Sequence, residues 1–168
     1  MATNRASGRS RPTTYNILFV CTGNTCRSPM AEAMARREIE RRGWRHVQVA
    51  SAGVAAQAGA QASDHAIHAL KAKGIDLSGH SSQLLEQELV DWADLILTMS
   101  LSHLSTIDAL GGASKAALLG DFVAGYEGGG ESVHDPYGGG IDAYAATQRE
   151  LEHMVGRALD RLAAIVAP

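Results

Sequence analysis

Residues 16–32 read NILFVCTGNTCRSPMAE, an apolar run that stops at Cys21 and gives way to a polar loop and then to a helical pattern. An arginine, Arg27, follows the cysteine by six positions. The apolar run is typical of a buried strand, and the residues after Arg27 are typical of an amphipathic helix. The stretch therefore predicts a strand, a short loop and a helix N-terminus, with a cysteine at the tip of the strand.

This order of elements predicts an anion-binding loop. The backbone N–H groups of a short loop and of a helix N-terminus point at one centre, where the helix dipole adds partial positive charge. Gly23 and Asn24 are residue types that tolerate the left-handed backbone angles needed to turn successive amides inward. Because the same field favours a thiolate over a thiol, we expect Cys21 to act as a nucleophile.

Two further side chains complete the predicted loop. Arg27 carries a fixed charge and a planar fork that can hold two oxygens of a phosphate. The hydroxyl of Ser28 can cap the helix or donate to the thiolate. Since a thiolate inside a phosphate-binding loop can attack phosphorus, the residues predict nucleophilic catalysis through a phosphocysteine on Cys21.

The rest of the chain alternates between strand and helix patterns. Short runs rich in Val, Ile and Leu predict strands at 15–20, 46–51, 93–99 and 116–122. Helical spacing of apolar residues predicts helices at 28–42, 63–74, 84–93, 102–110 and 141–166. The alternation predicts an α/β fold, a three-layer sandwich in which a four-stranded parallel sheet has helices on both faces. Ligands of such sheets bind at the carboxyl ends of the strands, where the phosphate-binding loop follows the first strand.

Length and composition indicate how the chain is organised. It has 168 residues, 45% of them apolar, which is enough for one globular domain with a substantial core. Residues 1–14 contain three arginines, no acidic residue and almost nothing apolar, so they predict a disordered basic tail. We therefore expect a tail over 1–14 and a single domain over 15–168. The tail has two open interpretations, a solvated extension or a contact for an acidic partner.

Charge and cysteine content exclude several classes of function. A net charge of −3 provides no basic field for nucleic acid or for an anionic membrane surface. No apolar run reaches the roughly 18 residues that span a bilayer, so we expect a cytoplasmic protein. The two cysteines cannot form a disulfide framework, and no spacing suggests zinc. We expect neither a metal nor a cofactor, because Arg27 and the loop amides supply the positive field themselves.

Four stretches of the chain resemble the low-molecular-weight protein tyrosine phosphatase family. They are VCTGNTCRSPMAE at 20–32, SAG at 51–53, ADLILTM at 93–99 and DPYGG at 135–139. The resemblance implies Cys21 as nucleophile, Arg27 as phosphate clamp and Asp135 as general acid, with Asn24 and Ser28 supporting the loop and the thiolate. The expected substrate-binding residues are Thr22, Gly23, Asn24, Thr25, Cys26, Ser28 and Tyr137.

Elementary chemistry supports Asp135 independently of the resemblance. Expelling a poor leaving group needs a proton donor, and hydrolysing a phosphoenzyme needs a base, so one carboxyl group can serve both steps in turn. Asp135 lies in the glycine-rich segment 125–140, where Pro136 stiffens the backbone beside it. The residues alone also allow Asp135 to be a turn residue. Tyr137 then forms an aromatic wall for the substrate or packs within its own loop.

Two other residues near the loop have open roles. Cys26 is either a small loop residue or the partner of Cys21 in a reversible disulfide that protects the nucleophile from over-oxidation. His80 lies near the position where related proteins carry a histidine that bonds to the phosphate-binding loop. Because its register is off by about one residue, we do not expect His80 in the site.

Three classes of function compete with a phosphatase. A thiol-dependent arsenate reductase has a similar loop but uses additional cysteines later in the chain, and none follows Cys26. A cysteine phosphocarrier of the sugar-transport type keeps its phosphate and has no use for Arg27 together with Asp135. A non-enzymatic module that only binds phosphate has no need of Cys21. We therefore expect a hydrolase that acts on phosphorylated proteins.

The residue after Asn24 bears on the substrate. Tyrosine-specific members of the family commonly carry an apolar branched residue there, whereas this chain has Thr25. The stretch CTGNTCRSPMAE and the motif Asp-Pro-aromatic-Gly-Gly are most similar to the protein-arginine-phosphatase members, which oppose a bacterial arginine kinase. This resemblance favours phosphoarginine. Tyr137 in place of phenylalanine leaves phosphotyrosine as the alternative.

Overall fold

The computed structural model describes residues 14–166, and its strands form one parallel sheet in the order β2-β1-β3-β4. The four strands are β1 (Tyr15–Cys21), β2 (Val47–Gly53), β3 (Leu95–Thr98) and β4 (Ala116–Leu118). The sheet confirms the predicted four-stranded parallel arrangement. The predicted disordered tail, residues 1–14, lies outside the described residues except for Thr14, and the boundaries of the tail and of the single domain at 15–168 remain predictions.

Helices connect the strands and follow the last one. Within residues 14–166 they are α1 (Arg27–Arg41), α2 (Asp64–Lys71), α3 (Gln87–Trp92), α4 (Leu104–Ala109), α5 (Leu119–Ala124) and α6 (Ile141–Val166). Two short 3-10 turns precede α4 and β4, at Leu101–His103 and Ala113–Lys115. No helix in this part of the chain is long and apolar enough to cross a bilayer.

Both faces of the sheet are covered, because side chains of a strand alternate between faces and those of β1 are apolar in both directions. Ile17 and Phe19 belong to the larger core cluster, which also contains apolar residues of α1, α2 and α6. Leu18 and Val20 belong to a second cluster with residues of α3 and α4. The predicted helix–sheet–helix sandwich is therefore confirmed.

The predicted strand over 116–122 is wrong in its second half. Strand β4 ends at Leu118, and Leu119 begins the short helix α5, which ends at Ala124 and is followed by Gly125 with a positive φ of 95°. A short apolar run does not distinguish a buried strand from a buried helical turn. Here its first residues form β4 and the following ones form α5. The Asp121 carboxylate accepts a hydrogen bond from the Gly130 amide, which ties α5 to the glycine-rich segment.

The sheet register brings the end of β2 against the loop that follows β1. Cys21 is opposite Gly53, and the amides of Val54 and Ala55 donate to the carbonyls of Cys21 and Thr22 at 3.0 and 2.9 Å. A Cβ atom on Gly53 would lie 2.4 Å from the Thr22 carbonyl oxygen. Only glycine fits this close approach, so the SAG stretch at the end of β2 packs directly against the backbone of the loop.

Candidate active site

The loop between β1 and α1 surrounds the thiol of Cys21 with hydrogen-bond donors. Asn24 adopts a positive φ of 55°, and its backbone N–H points back to the Cys21 Sγ at 3.3 Å. The Ser28 Oγ lies 2.8 Å from the same sulfur. Cys21 is only 3% exposed, so its sulfur lies at the bottom of the loop. These donors can stabilise a thiolate.

The side chain of Asn24 holds the loop in shape from behind. It is fully buried, and its Nδ2 donates to Ser28 Oγ and to Ser51 Oγ, each at 2.9 Å. Its Oδ1 accepts from the Gln83 amide at 3.0 Å. Because Ser28 Oγ accepts from Asn24, the hydroxyl proton of Ser28 is free to point at the Cys21 sulfur. The network therefore orients Ser28 as a donor to the thiol.

Arg27 begins α1 and points its guanidinium into the site. The residue is 6% exposed, and its Nη1 donates to the Val133 carbonyl oxygen at 3.2 Å. Its Nη2 lies 3.6 Å from the Asp135 Oδ2. A buried guanidinium with one ion-pair partner at long range retains donors for a phosphate.

Asp135 and Tyr137 approach the loop from the segment before α6. The side chain of Asp135 is 54% exposed, and its Oδ1 accepts from the Tyr137 backbone N–H at 3.1 Å. This local turn fixes the carboxylate beside Arg27 while leaving one face of it open. Tyr137 is 81% exposed, so its ring stands free at the rim.

A cavity of about 260 Å³ joins most of the predicted site residues. It is lined by Cys21, Thr22, Gly23, Thr25, Cys26, Arg27, Asp135 and Tyr137. The two remaining predicted residues, Asn24 and Ser28, lie buried behind the loop and contact Cys21 instead. The structure thus brings together all ten residues that the sequence singles out, eight around one small opening at the carboxyl end of β1 and two directly behind it. Among residues 14–166, no cluster of three or more side chains is arranged to hold a metal ion.

The Cys26 thiol contacts the first turn of α6 and the residue before α2. Its Sγ lies 3.2 Å from the Tyr144 hydroxyl and 3.5 Å from the Ser63 Oγ. Burial, together with the hydrogen bond to Cys26, raises the pKa of Tyr144 above its usual value. Both Cys21 and Cys26 are free thiols in this structure. The disulfide between them remains a prediction.

Two histidines that are absent from the predicted site contact the loop. The His80 Nε2 lies 2.7 Å from the Asn24 carbonyl oxygen, so the one-residue register offset did not keep it away from the loop. The His103 Nε2 lies 3.0 Å from the Thr22 Oγ1. His103 follows β3, the strand beside β1. In a parallel sheet the ends of neighbouring strands lie together, and this adjacency is the feature of the predicted topology that could have placed His103 near the loop.

Comparison with known proteins agrees with the geometry. The family model described as low molecular weight phosphotyrosine protein phosphatase matches residues 16–166. A protein-arginine-phosphatase from Geobacillus stearothermophilus is 43% identical over 150 residues, covering 88% of this chain and 96% of the relative. One from Bacillus subtilis is 45% identical over 142 residues, covering 83% and 91%.

A solved structure of the YwlE arginine phosphatase, a cysteine-to-serine mutant with a phosphorylated active-site serine, superposes with a TM-score of 0.81. It is 43% identical, and the match covers 88% of this chain and 95% of that one. The chain therefore belongs to the low-molecular-weight phosphotyrosine protein phosphatase family.

Proposed function

We propose that this protein is a cysteine-dependent protein phosphatase that removes phosphate from phosphoarginine through a phosphocysteine on Cys21. The observation that carries the proposal is the position of the Cys21 sulfur, 2.8 Å from the Ser28 hydroxyl and 3.3 Å from the Asn24 amide, in one cavity with Arg27 and Asp135. Donors around a sulfur stabilise a thiolate, and a guanidinium beside it holds a phosphate. This is the arrangement that nucleophilic attack on phosphorus needs.

The first step forms the S–P bond and breaks the bond between phosphorus and the leaving group. The Cys21 thiolate attacks phosphorus while the Arg27 fork and the loop amides hold the non-bridging oxygens. Protonated Asp135 gives its proton to the departing nitrogen of phosphoarginine, so this nitrogen leaves without a negative charge. The products are a phosphocysteine, free arginine side chain and an Asp135 carboxylate.

The second step reverses the role of Asp135. Its carboxylate takes a proton from a water molecule, and the resulting hydroxide attacks phosphorus. The S–P bond breaks, inorganic phosphate leaves, and Cys21 returns as a thiolate that Ser28 and the Asn24 amide stabilise. Because Asp135 regains its proton, the cycle is closed without any group beyond the chain and water.

Two features support phosphoarginine as the substrate. Thr25 lines the cavity with a hydroxyl where an aliphatic side chain would offer only apolar surface. The relatives from Geobacillus stearothermophilus and Bacillus subtilis, which carry the name protein-arginine-phosphatase, support the same substrate and a bacterial setting.

Phosphotyrosine is the second candidate, favoured by Tyr137. Its ring is 81% exposed at the rim of the cavity, in a position to stack on an aromatic substrate. The description of the matching family, which names phosphotyrosine, supports the same alternative. An arsenate reductase or a cysteine phosphocarrier receives no such support, since no cysteine follows Cys26 and Asp135 stands ready to assist hydrolysis.

We also propose the setting in which the enzyme acts. Its substrates are phosphorylated proteins, and it opposes a protein kinase, an arginine kinase if phosphoarginine is preferred. The net charge of −3 supports neither a nucleic acid nor an anionic membrane as partner, and we propose action in the cytoplasm without a cofactor.

A paired assay tests the proposal. The purified protein is given one carrier protein phosphorylated on arginine and the same carrier phosphorylated on tyrosine, and kcat/KM is measured for each. We expect both to be hydrolysed, with phosphoarginine preferred. A preference for phosphotyrosine would replace the substrate assignment and leave the mechanism intact, whereas inactivity on both would overturn the proposed function.

A further inference from the structure

His103 reaches the phosphate-binding loop from a different part of the fold. It ends the short 3-10 turn that follows β3, and its side chain is almost completely buried. Its Nε2 lies 3.0 Å from the Oγ1 of Thr22, the residue directly after Cys21. The contact spans 81 positions of the sequence and involves no residue used in the two chemical steps above.

The hydrogen bonds of His103 fix which ring nitrogen carries the proton. The backbone N–H of Ser100 donates to Nδ1 at 3.2 Å. A ring nitrogen that accepts a hydrogen bond carries no proton in neutral imidazole, so the proton is on Nε2. His103 therefore donates to Thr22, and the Thr22 oxygen accepts.

His103 remains neutral in this environment. Burial and, after it, the positive charge of Arg27 lower the pKa of His103 to about 4, while the charge of Asp135 acts in the opposite direction. Protonation of Nδ1 would also bring that N–H against the N–H of Ser100. The direction of the bond to Thr22 is thus fixed at neutral pH.

The fixed direction determines what the hydroxyl of Thr22 can do. Its proton cannot point at His103, because Nε2 already carries one. Thr22 is exposed and lines the same cavity as Cys21 and Arg27, and its backbone carbonyl is held by the Ala55 amide at 2.9 Å. The hydroxyl is free to rotate, and a phosphoryl group bound in this cavity would be an acceptor within its reach.

We infer that His103 is a positioning residue that turns the Thr22 hydroxyl into a hydrogen-bond donor for a non-bridging phosphoryl oxygen. The inference rests on the proposed function, because the acceptor is the phosphoryl group of the substrate. A hydroxyl that is already oriented needs no reorientation when charge develops on that oxygen during attack by Cys21. His103 acts through Thr22 and touches no reacting atom.

A set of matched variants separates this role from a structural one. The amide of a glutamine at position 103 can place an N–H near the position of Nε2, whereas the shorter asparagine can keep the contact with Ser100 but cannot reach Thr22. Thr22→Val removes the hydroxyl and retains the shape. Each substitution is made alone, and His103→Asn is also combined with Thr22→Val in a double-mutant cycle.

The assay uses p-nitrophenyl phosphate, whose good leaving group needs little help from Asp135. We expect His103→Asn and Thr22→Val each to lower kcat by up to about 10²-fold, the lower end of the range for loss of one transition-state donor. His103→Gln should recover most of the activity, and His103→Asn should cost nothing further in the Thr22→Val background. Equal losses for His103→Asn in both backgrounds, or a glutamine no better than asparagine, would overturn the inference alone.

A measurement on the unmodified ring covers the case in which a His103 variant does not fold. Nitrogen NMR of ring-labelled histidine identifies His103 as the signal that moves in Thr22→Val, and it should show the Nε2-protonated tautomer at pH 7. The opposite tautomer would overturn the inference even in an active enzyme. A wild-type protein inactive on every phosphorylated substrate would instead overturn the proposed function, and this inference with it.

Discussion

The Nη2 of Arg27 lies 3.6 Å from the Oδ2 of Asp135, joining the first residue of α1 to the loop before α6. The contact is longer than a charge-assisted hydrogen bond and involves a half-exposed carboxylate, so it is weak. We expect a bound phosphate to take over the guanidinium fork. Asp135 is then free of this ion pair and faces the leaving group, which is where a general acid has to be.

Arg27→Lys should make the enzyme nearly inactive. An ammonium group cannot hold two phosphoryl oxygens in a planar fork, and it cannot at the same time reach the Val133 carbonyl. We expect kcat/KM to fall by about 10²–10³-fold, as for loss of a major transition-state donor. Arg41→Lys, an exposed position near the other end of α1, is the matched control. A lysine variant with near wild-type activity would mean that Arg27 is not the clamp.

Asp135→Asn should slow the reaction by about 10²–10⁴-fold on substrates with poor leaving groups, which is typical of losing a general acid or base. The loss should be much smaller with aryl phosphates, because a stable leaving group needs no proton during the first step. The measurement is kcat/KM over a series of leaving groups. The exposed Asp142, at the start of α6, provides the control variant Asp142→Asn. An equal loss across the series would count against the acid role.

Thr25→Ile should change the substrate preference. Isoleucine replaces a hydroxyl that can bind a polar partner or a water molecule with apolar surface that suits an aromatic ring. We expect kcat/KM to fall on phosphoarginine and to rise on phosphotyrosine, a relative change of about 2–4 kcal/mol in transition-state stabilisation. Circular dichroism and the thermal midpoint check that the added bulk does not disturb the loop. If both activities move equally, Thr25 is not the selector.

His103 should make the protein less stable in mild acid. The unfolded chain binds a proton near the ordinary histidine pKa of 6.5, whereas the folded protein resists protonation until about pH 4. The contribution of neutral His103 to the free energy of unfolding is therefore fully present above pH 6.5. It is lost as the pH falls from 6.5 to 4, a decrease of up to about 3 kcal/mol. Urea unfolding at pH 7, 5.5 and 4 measures it.

His103→Gln removes the titrating group, so its free energy of unfolding should depend less on pH than that of the wild type over this window. His153 lies on the exposed face of α6. The control variant His153→Gln therefore shows how loss of a solvent-exposed histidine changes the pH dependence of the free energy of unfolding. If wild type and His103→Gln lose stability in parallel, His103 does not resist protonation in the folded state.

The local part of the site was predictable because its determinants are adjacent in the sequence. The apolar run of β1, the Gly23–Asn24 pair and Arg27 at the start of α1 lie within thirteen positions, and each residue type has a direct structural consequence. The same kind of pattern failed at 116–122, since three residues of strand and a short helix share one apolar run there.

The supporting residues were not predictable in the same way. His80 and His103 reach the loop over 56 and 81 positions, and nothing in their immediate sequence distinguishes them from other polar residues. Their contacts depend on how the segment after α2 and the turn after β3 pack around the end of β1. For His80 the family resemblance gave an indication, and for His103 the parallel topology gave a partial one, because it places the carboxyl ends of neighbouring strands at one edge.

The most direct test of the account is to identify the residue that carries phosphate during turnover. Enzyme is mixed with a phosphoarginine peptide, quenched in denaturant within one turnover and analysed by phosphorus NMR and peptide mass spectrometry. We expect phosphate on the sulfur of Cys21, in an amount that approaches one per enzyme, and a Cys21→Ser variant that folds and binds phosphate but does not turn over. Phosphate on any other residue, or substantial turnover by the Cys21→Ser variant, would contradict the phosphocysteine mechanism.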